Sequence, residues 1–288
     1  MCGDGSRPSG YGRAMTAIRL LAAAVLVVTT VLPAQAAPKA EAWARWRAHD
    51  AAATRQVDYD AWEAFLAKYL RLPAAGPNRV AYGAVTAEDK LALAAFVDSL
   101  AAVKVDDLNR AQQMAYWINL YNALTVRVVL DHWPVKSIRD IDISPGWFTS
   151  GPWGAKLVTV EGVELSLDDI EHRILRPLWH DPRVHYAVNC ASLGCPSLAP
   201  HAYTAARLDA MLTEGAEAYV NSRRGARFDG DRLVVSKIYS WFAEDFGGEA
   251  GVLAHLRKYA RGEMKKRLAK ATGIDDYAYD WRVNAAPQ

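Results

Sequence analysis

Two thiols in a loop of small residues are the first feature with chemical content. Cys190 and Cys195 lie in "VHYAVNCASLGCPSL", residues 184–198. A thiol in such a loop suits a nucleophile, because a substrate can approach and backbone N–H groups can stabilise an oxyanion. The same pair suits a small disulfide loop, or two inert thiols. All three readings stay open on sequence alone. The nearest imidazole is His185. The apolar, β-favouring run predicts a strand over residues 184–190. Alternation then puts His185, Ala187 and Asn189 on one face and Cys190 on the other. A self-contained Cys190–His185 dyad is therefore not expected. His185 is expected to meet Glu171 or the asparagines of the long helix, while Cys190 takes its base from another segment. His201 and His255 are the histidines that remain downstream.

Other polar residues fall where apolar ones belong. Asn119 and Asn122 share a helix face, and Asn122 lies inside the apolar stripe of Met114, Ile118, Tyr121, Thr125 and Val128. A buried amide without partners costs about 1–3 kcal/mol. Both must hold hydrogen bonds, to a neighbouring backbone or to a substrate carbonyl. Glu171 joins the apolar face of Leu167, Ile170, Ile174, Leu175 and Leu178. A carboxylate there must be paired, metal-bound or protonated. Arg176 and His172 are partners nearby in sequence. Either Glu171 forms a structural pair with Arg176, or it orients a histidine. Glu171, His172, His180 and His185 also raise a metal site, but no H-E-x-x-H or C-x-x-C accompanies them. G-x-S-x-G, P-loop and G-x-G-x-x-G motifs are absent too, so no cofactor and no metal are expected.

The elements that must position these residues are mostly helices. Thr86 and Asp89 start one that runs to about residue 103. The best-patterned one follows and is ended by Pro134. "KLVTVEGVELSL" reads as a hairpin turned at Glu161-Gly162. Ser166 and Asp169 open the helix bearing Glu171, and Pro177 kinks or ends it. A helix from residue 204 to about 220 leads to a second hairpin, turned at Asp229-Gly230-Asp231. A short helix stops at Gly247-Gly248, a basic helix follows, and the alternating tail reads as an edge strand. Helices outnumber strands, and the strands come mostly as hairpins. The expected fold is α+β, a helix-rich single domain with a small, largely antiparallel sheet.

Residues 1–36 read as a signal peptide, with residues 1–14 an overcalled start before Met15. Arg19 supplies the positive charge, residues 20–32 the apolar core, and Ala34-Gln35-Ala36 the cleavage site. That core is shorter than the ~20 residues needed to span a bilayer. The protein is thus expected in the periplasm or secreted, with no membrane span after cleavage near Ala36. An N-terminal helical segment, residues 37–85, is expected to pack on the main body, residues 86–288. The net charge is +2, and no basic stripe suggests nucleic acid. The basic run 257–270 is helix-patterned and reads as a solvated face.

Five blocks, "AYWINLYNALT", "IEHRILR", "DPRVHYAVNCASLGCPSL", "SKIYSWFAEDF" and "YDW", resemble the domain-of-unknown-function 547 (DUF547) family in type and order. The resemblance spans about residues 111–281 and implies no settled activity. It implies emphasis on Trp117, Asn119, Tyr121, Asn122, Glu171, Arg176, His185 and Cys190, then Trp241, Asp245, Phe246 and Tyr279 to Trp281. It also implies that Cys195 is dispensable in some relatives, which shifts weight from a disulfide toward Cys190. The layout invites comparison with papain-like and transglutaminase-like enzymes. Their nucleophile opens a long helix and precedes the histidine, however, and here His185 precedes Cys190.

The expected activity is that of an exported, cofactor-independent thiol hydrolase or acyl transferase. Cys190 is the nucleophile, His185 or another histidine the base, and Glu171 the group that orients an imidazole. Asn119, Asn122 and Arg176 are the candidate substrate-binding residues, for a small molecule or a peptide. The rival is a non-enzymatic periplasmic binding or assembly module stapled by a Cys190–Cys195 disulfide.

Overall fold

A single helix, Arg110–Asp131, is buried without a break from Gln112 to Val126 and forms the centre of the larger core. The computed structural model describes residues 38–146 and 150–287. The signal-peptide expectation lies outside them. The chain begins as an extended strap with one 3-10 turn, Ala44–Arg47, and then forms α1, Asp60–Tyr69. Strands β1, Leu70–Arg71, and β2, Arg79–Val80, pair across a Pro- and Gly-containing loop, residues 72–78. Helix α2, Ala87–Ala101, starts where expected: the Thr86 side chain accepts a hydrogen bond from the Asp89 N–H. The central helix is α3. Its start is a reciprocal capping box, Asn109 with Gln112, which satisfies two otherwise orphaned N–H groups.

The first hairpin is β3, Val158–Val160, against β4, Val163–Leu165. Its turn uses positive φ at both Glu161 (48°) and Gly162 (79°), matching the twist of the strands. Ser166 and Asp169 then exchange hydrogen bonds and open the next helix. That helix is wide, with π-type turns over Asp169–Leu175, and it tightens into α4, Arg176–Trp179. Pro177 supplies the cause. It has no N–H to give to the Arg173 carbonyl, and its ring crowds that turn. The helix widens instead of ending. The freed Arg173 carbonyl is taken by the Trp43 N–H at 3.0 Å, and the His172 carbonyl by the Glu41 N–H at 3.1 Å. The N-terminal strap thus pairs with the widened helix.

Residues 184–190 do not form the expected strand. Val184–Ala187 is a one-turn helix, α5, and only Val188 returns to extended backbone. The signal lay just upstream. The Asp181 side chain accepts from the Arg183 N–H and its carbonyl from the Val184 N–H, with Pro182 in the first turn. Helix α6, Leu208–Val220, follows. Next come β5, Ala226–Asp229, and β6, Arg232–Ser236, paired antiparallel. Short helices α7, Ile238–Trp241, and α8, Ala243–Phe246, lead into α9, Gly248–Tyr259, and α10, Gly262–Leu268. The tail strand β7, Asp276–Ala278, lies at the sheet edge as expected, but parallel to β6.

The fold is therefore α+β and helix-rich, with three small separate sheets among the described residues in place of one. Residues 37–288 form one compact unit. No helix among the described residues is long and apolar enough to cross a membrane. The core has two parts. The larger is built on α1–α3 and the wide helix, the smaller between the β5–β6 hairpin, α6 and α9. Trp46 of the strap belongs to the larger part. Its ring meets that of Trp117 edge-on at 5.0 Å, and only 1 % of it is exposed. Trp46→Ala is expected to destabilise the protein by about 3–5 kcal/mol in urea unfolding, the range for a buried tryptophan. A loss under 1 kcal/mol would show that the strap is an appendage.

Candidate functional site

The wide helix brings four polar side chains inward, and the chain meets them from several sides. Glu171 accepts from the Tyr121 hydroxyl at 3.1 Å through Oε2. Its Oε1 lies 3.6 Å from Nδ1 of His185. The opposite nitrogen of His185, Nε2, lies 2.7 Å from Oδ2 of Asp245. Arg176 grips the same carboxylate with two bonds, Nε to Oδ2 at 2.6 Å and Nη2 to Oδ1 at 3.1 Å. Its Nη1 donates to the Pro38 carbonyl at 2.7 Å and reaches Nδ1 of His172 at 3.1 Å. Phe242 covers the group, stacked on His185 at 4.1 Å with the Arg176 guanidinium 4.8 Å from its ring centre.

The electrostatics follow from this geometry. Burial alone would push Glu171 up, but His172, His185 and Arg176 hold it down to about 2. Burial also opposes ionisation of Asp245, yet His185 and Arg176 hold it far below the usual carboxylate range. For His185 burial acts downward, and Asp245 and Glu171 overcome it and raise the imidazole. His185 thus has a carboxylate facing each nitrogen, an arrangement that favours its charged form. In that form it has no lone pair to offer a thiol.

The thiol site lies on the loop after α5. Cys190 Sγ is 3.2 Å from the Ser192 hydroxyl and 3.1 Å from the Tyr279 hydroxyl, which are themselves 2.9 Å apart. The Cys190 N–H donates to Cys195 Sγ at 3.0 Å. Cys190 is half-buried and Cys195 buried, and both thiols are free. The Cys190 thiol is lowered to about 7: the Cys195 thiol contributes most, burial opposes, and the Ser192 hydroxyl, the Tyr279 hydroxyl and the Ser192 N–H add donors. Burial pushes Cys195 up. Ala191 makes the turn that folds Ser192 back on the sulfur, at φ 55°, where a residue with a Cβ is strained. The Asn189 side chain holds this turn by accepting from the Ala191 N–H at 2.9 Å.

The C-terminal tail closes the loop from outside. Leu193 N–H donates to the Arg282 carbonyl at 2.7 Å and Gly194 N–H to the Asp280 carbonyl at 2.8 Å. Only glycine fits at 194, since a Cβ would lie 2.7 Å from the Asp280 nitrogen. From the other side the Arg224 guanidinium bonds the Leu193 and Cys195 carbonyls. Half-buried Trp241, Tyr279, Trp281 and Trp153 pack against one another beside the sulfur.

Several expected assignments change. Glu171 does meet His185, but His185 is not beside Cys190, and its nitrogens are engaged by carboxylates. His201 pairs with Glu63, and His255 packs among Tyr186, Phe246 and Tyr259, so neither serves the thiol. Asn119 and Asn122 are backbone clamps. Asn119 exchanges bonds with Tyr203, at 2.8 and 2.9 Å. Asn122 donates to the Ala187 carbonyl at 2.9 Å and accepts from the Asn189 N–H at 2.8 Å. These bonds leave the two amides no role as binders of a substrate carbonyl. Arg176 is consumed by Asp245, Pro38 and His172. Ser192 was missed on sequence, because a serine in a small-residue loop carries no periodic signal. Among the described residues, no group of three or more His, Cys, Asp or Glu side chains could hold a metal ion. A cleft of about 730 Å³ lies elsewhere, lined by Trp179, Asp181, Asp209, Glu217, His255 and Lys258 among others. Its carboxylates are already paired, Asp181 and Asp209 with Arg183 and Glu217 with Arg261.

Residues 105–220 match the model of a family described as a protein of unknown function, DUF547. Over these residues the resemblance to DUF547 holds. No curated protein and no solved structure matches the chain. The DUF547 segment contains Glu171, Arg176, His185, Cys190 and Cys195, while Asp245 and Tyr279 lie beyond it. Both polar groups are thus completed from outside the matched segment.

The ionic group has a pH signature. Glu171 contributes stability above its unfolded value of 4.5, and loses it as pH falls through about 2. His185 contributes fully below its unfolded value of 6.5, and loses it as pH rises through its raised folded value. Melting temperature is expected to be highest between these two values and to fall on the alkaline side. His185→Gln should flatten that alkaline limb, and an unchanged slope would count against a charged His185. Asn122→Ala should cost about 2–4 kcal/mol in urea unfolding, because it orphans two buried backbone groups.

Proposed function

We propose that this protein is an exported, thiol-dependent hydrolase or acyl transferase with Cys190 as its nucleophile. The observation that carries the reading is the free, half-buried Cys190 sulfur held by the Ser192 and Tyr279 hydroxyls on a strained turn. Those donors, with Cys195, favour the thiolate near neutral pH, so the nucleophile needs no imidazole beside it. The thiolate attacks an acyl carbonyl, a sulfur–carbon bond forms, and the bond to the leaving group breaks. Tyr279 is placed to give the leaving group a proton. Water or an acceptor then takes the acyl group and returns the proton. Trp153, Trp241 and Trp281 offer apolar faces for a small-molecule or peptide substrate. The Glu171–His185–Asp245–Arg176 group supports the site by fixing α5 and α8.

Iodoacetamide alkylation of Cys190, followed by peptide mapping across pH, tests the reading. The rate should be half-maximal near pH 7. Tyr279→Phe should move that midpoint upward and slow alkylation several-fold at neutral pH. A midpoint at the ordinary thiol value of about 8.5 would remove the basis of the proposal. On a panel of acyl esters, thioesters and peptides, Cys190→Ser should abolish any turnover that the native chain shows, and retained turnover would exclude Cys190 as nucleophile.

A further inference from the structure

The second thiol, Cys195, forms no bond to the substrate in acyl transfer, yet it is placed against the first. Its sulfur accepts from the Cys190 N–H at 3.0 Å, which seats it against the backbone of the first cysteine. Exposure divides their roles. Cys190 is half-buried and can meet a small solute, whereas Cys195 is only 4 % exposed, with the Val188 carbonyl 3.8 Å from its sulfur. Oxidation follows thiolate character and access, so a dissolved oxidant reaches Cys190 first.

We infer that Cys190 and Cys195 form a reversible oxidation site, in which a hydroperoxide oxidises Cys190 and Cys195 resolves it to a disulfide. The inference rests on Cys190 being the reactive thiol of the preceding section. In the first step the Cys190 thiolate attacks the terminal peroxide oxygen. A sulfur–oxygen bond forms, the O–O bond breaks, and the released alkoxide or hydroxide takes a proton from water. Cys190 is then a sulfenic acid, oxidised by two electrons, and the peroxide is reduced by two. In the second step the Cys195 sulfur attacks the sulfenic sulfur. A sulfur–sulfur bond forms, the sulfur–oxygen bond breaks, and hydroxide leaves with the Cys195 proton as water. A small dithiol reverses the bond by two exchange steps and is itself oxidised to its disulfide.

The surroundings suit this exchange. When Cys190 Sγ swings toward Cys195, it leaves Ser192 and Tyr279, whose hydroxyls stay bonded to each other, Ser192 donating to Tyr279 at 2.9 Å. The loop between the cysteines is held from several directions. Leu193 and Gly194 are bonded to the tail, the Gly194 carbonyl accepts from the Tyr219 hydroxyl at 2.5 Å, and the Cys195 carbonyl accepts from Arg224. The two sulfurs are therefore kept together by contacts that do not involve either of them. A disulfide would remove the nucleophile from use and shield it from further, irreversible oxidation.

The test treats the whole chain with a small molar excess of hydrogen peroxide, enough for two successive oxidations of one thiol, and maps Cys190 and Cys195 by peptide mass spectrometry. Expected is a Cys190–Cys195 disulfide, with a mass loss of two hydrogens and loss of both alkylatable thiols. Dithiothreitol should restore both thiols completely. Cys195→Ala and Cys195→Ser, two variants with different packing demands, should both convert Cys190 to sulfinic acid, which dithiothreitol does not reverse. Sulfinic Cys190 beside an alkylatable Cys195 in the native chain would overturn the inference and leave the nucleophile reading standing. Iodoacetamide alkylation before peroxide is a separate readout on the same sample. An ordinary, slow rate there would overturn the nucleophile reading, while the disulfide map still decides whether the pair closes.

Discussion

The arrangement of the helices around α3 depends on one interaction, His185 held between two carboxylates. Removing an imidazolium, an arginine and two carboxylates from water is costly, and the cost is offset only if every group finds its partner with good geometry. Here that requirement draws together α3 through Tyr121, the wide helix through Glu171 and Arg176, α5 through His185 and α8 through Asp245. The N-terminal strap joins through the Pro38 carbonyl. Apolar packing holds α3 and the wide helix together, while α5 and α8 are single turns with little period to orient them. The ionic group gives them a single arrangement, because any slip strands a charge in a low-dielectric interior.

Pro177 makes that arrangement possible. In a regular helix the carbonyls of His172 and Arg173 would be spent within the helix. The widened turns release them, and the strap takes them. The same widening places Glu171 and Arg176 on the inward side together. A proline inside a helical pattern thus becomes a docking edge, and the function of the turn is read from what it leaves unbonded.

The parts of the fold legible in the sequence were those governed by local chemistry. Thr86 with Asp89, Ser166 with Asp169, and the turns at Glu161-Gly162 and Asp229-Gly230 all act within a few residues, so spacing reveals them. Glu171 also announced itself, as a carboxylate on an apolar face that had to find a cation. Its surroundings were beyond reach. Asp245 lies in a four-residue helix with no period to read, 69 residues from the arginine that grips it. The run at Val184–Ala187 was ambiguous, because four apolar-rich residues fit a strand or one helical turn equally, and Asp181-Pro182 outweighed β-propensity. Asn119 and Asn122 were legible as buried amides needing partners. Whether those partners were backbone or substrate depended on loops whose path no spacing encodes.

The bare backbone at Gly194 has a consequence for how the protein comes into being. It lets the last segment of the chain lie directly on the cysteine loop, and that segment brings Tyr279, 89 residues after Cys190, to the sulfur. A chain is made from its N-terminus. The ionic group and the cysteine loop are both encoded upstream of the residue that tunes the thiol. Until the tail arrives, Cys190 lacks one of its hydroxyl donors, and it holds its proton more tightly. The acidity of the thiol thus depends on a contact made across 89 residues of chain.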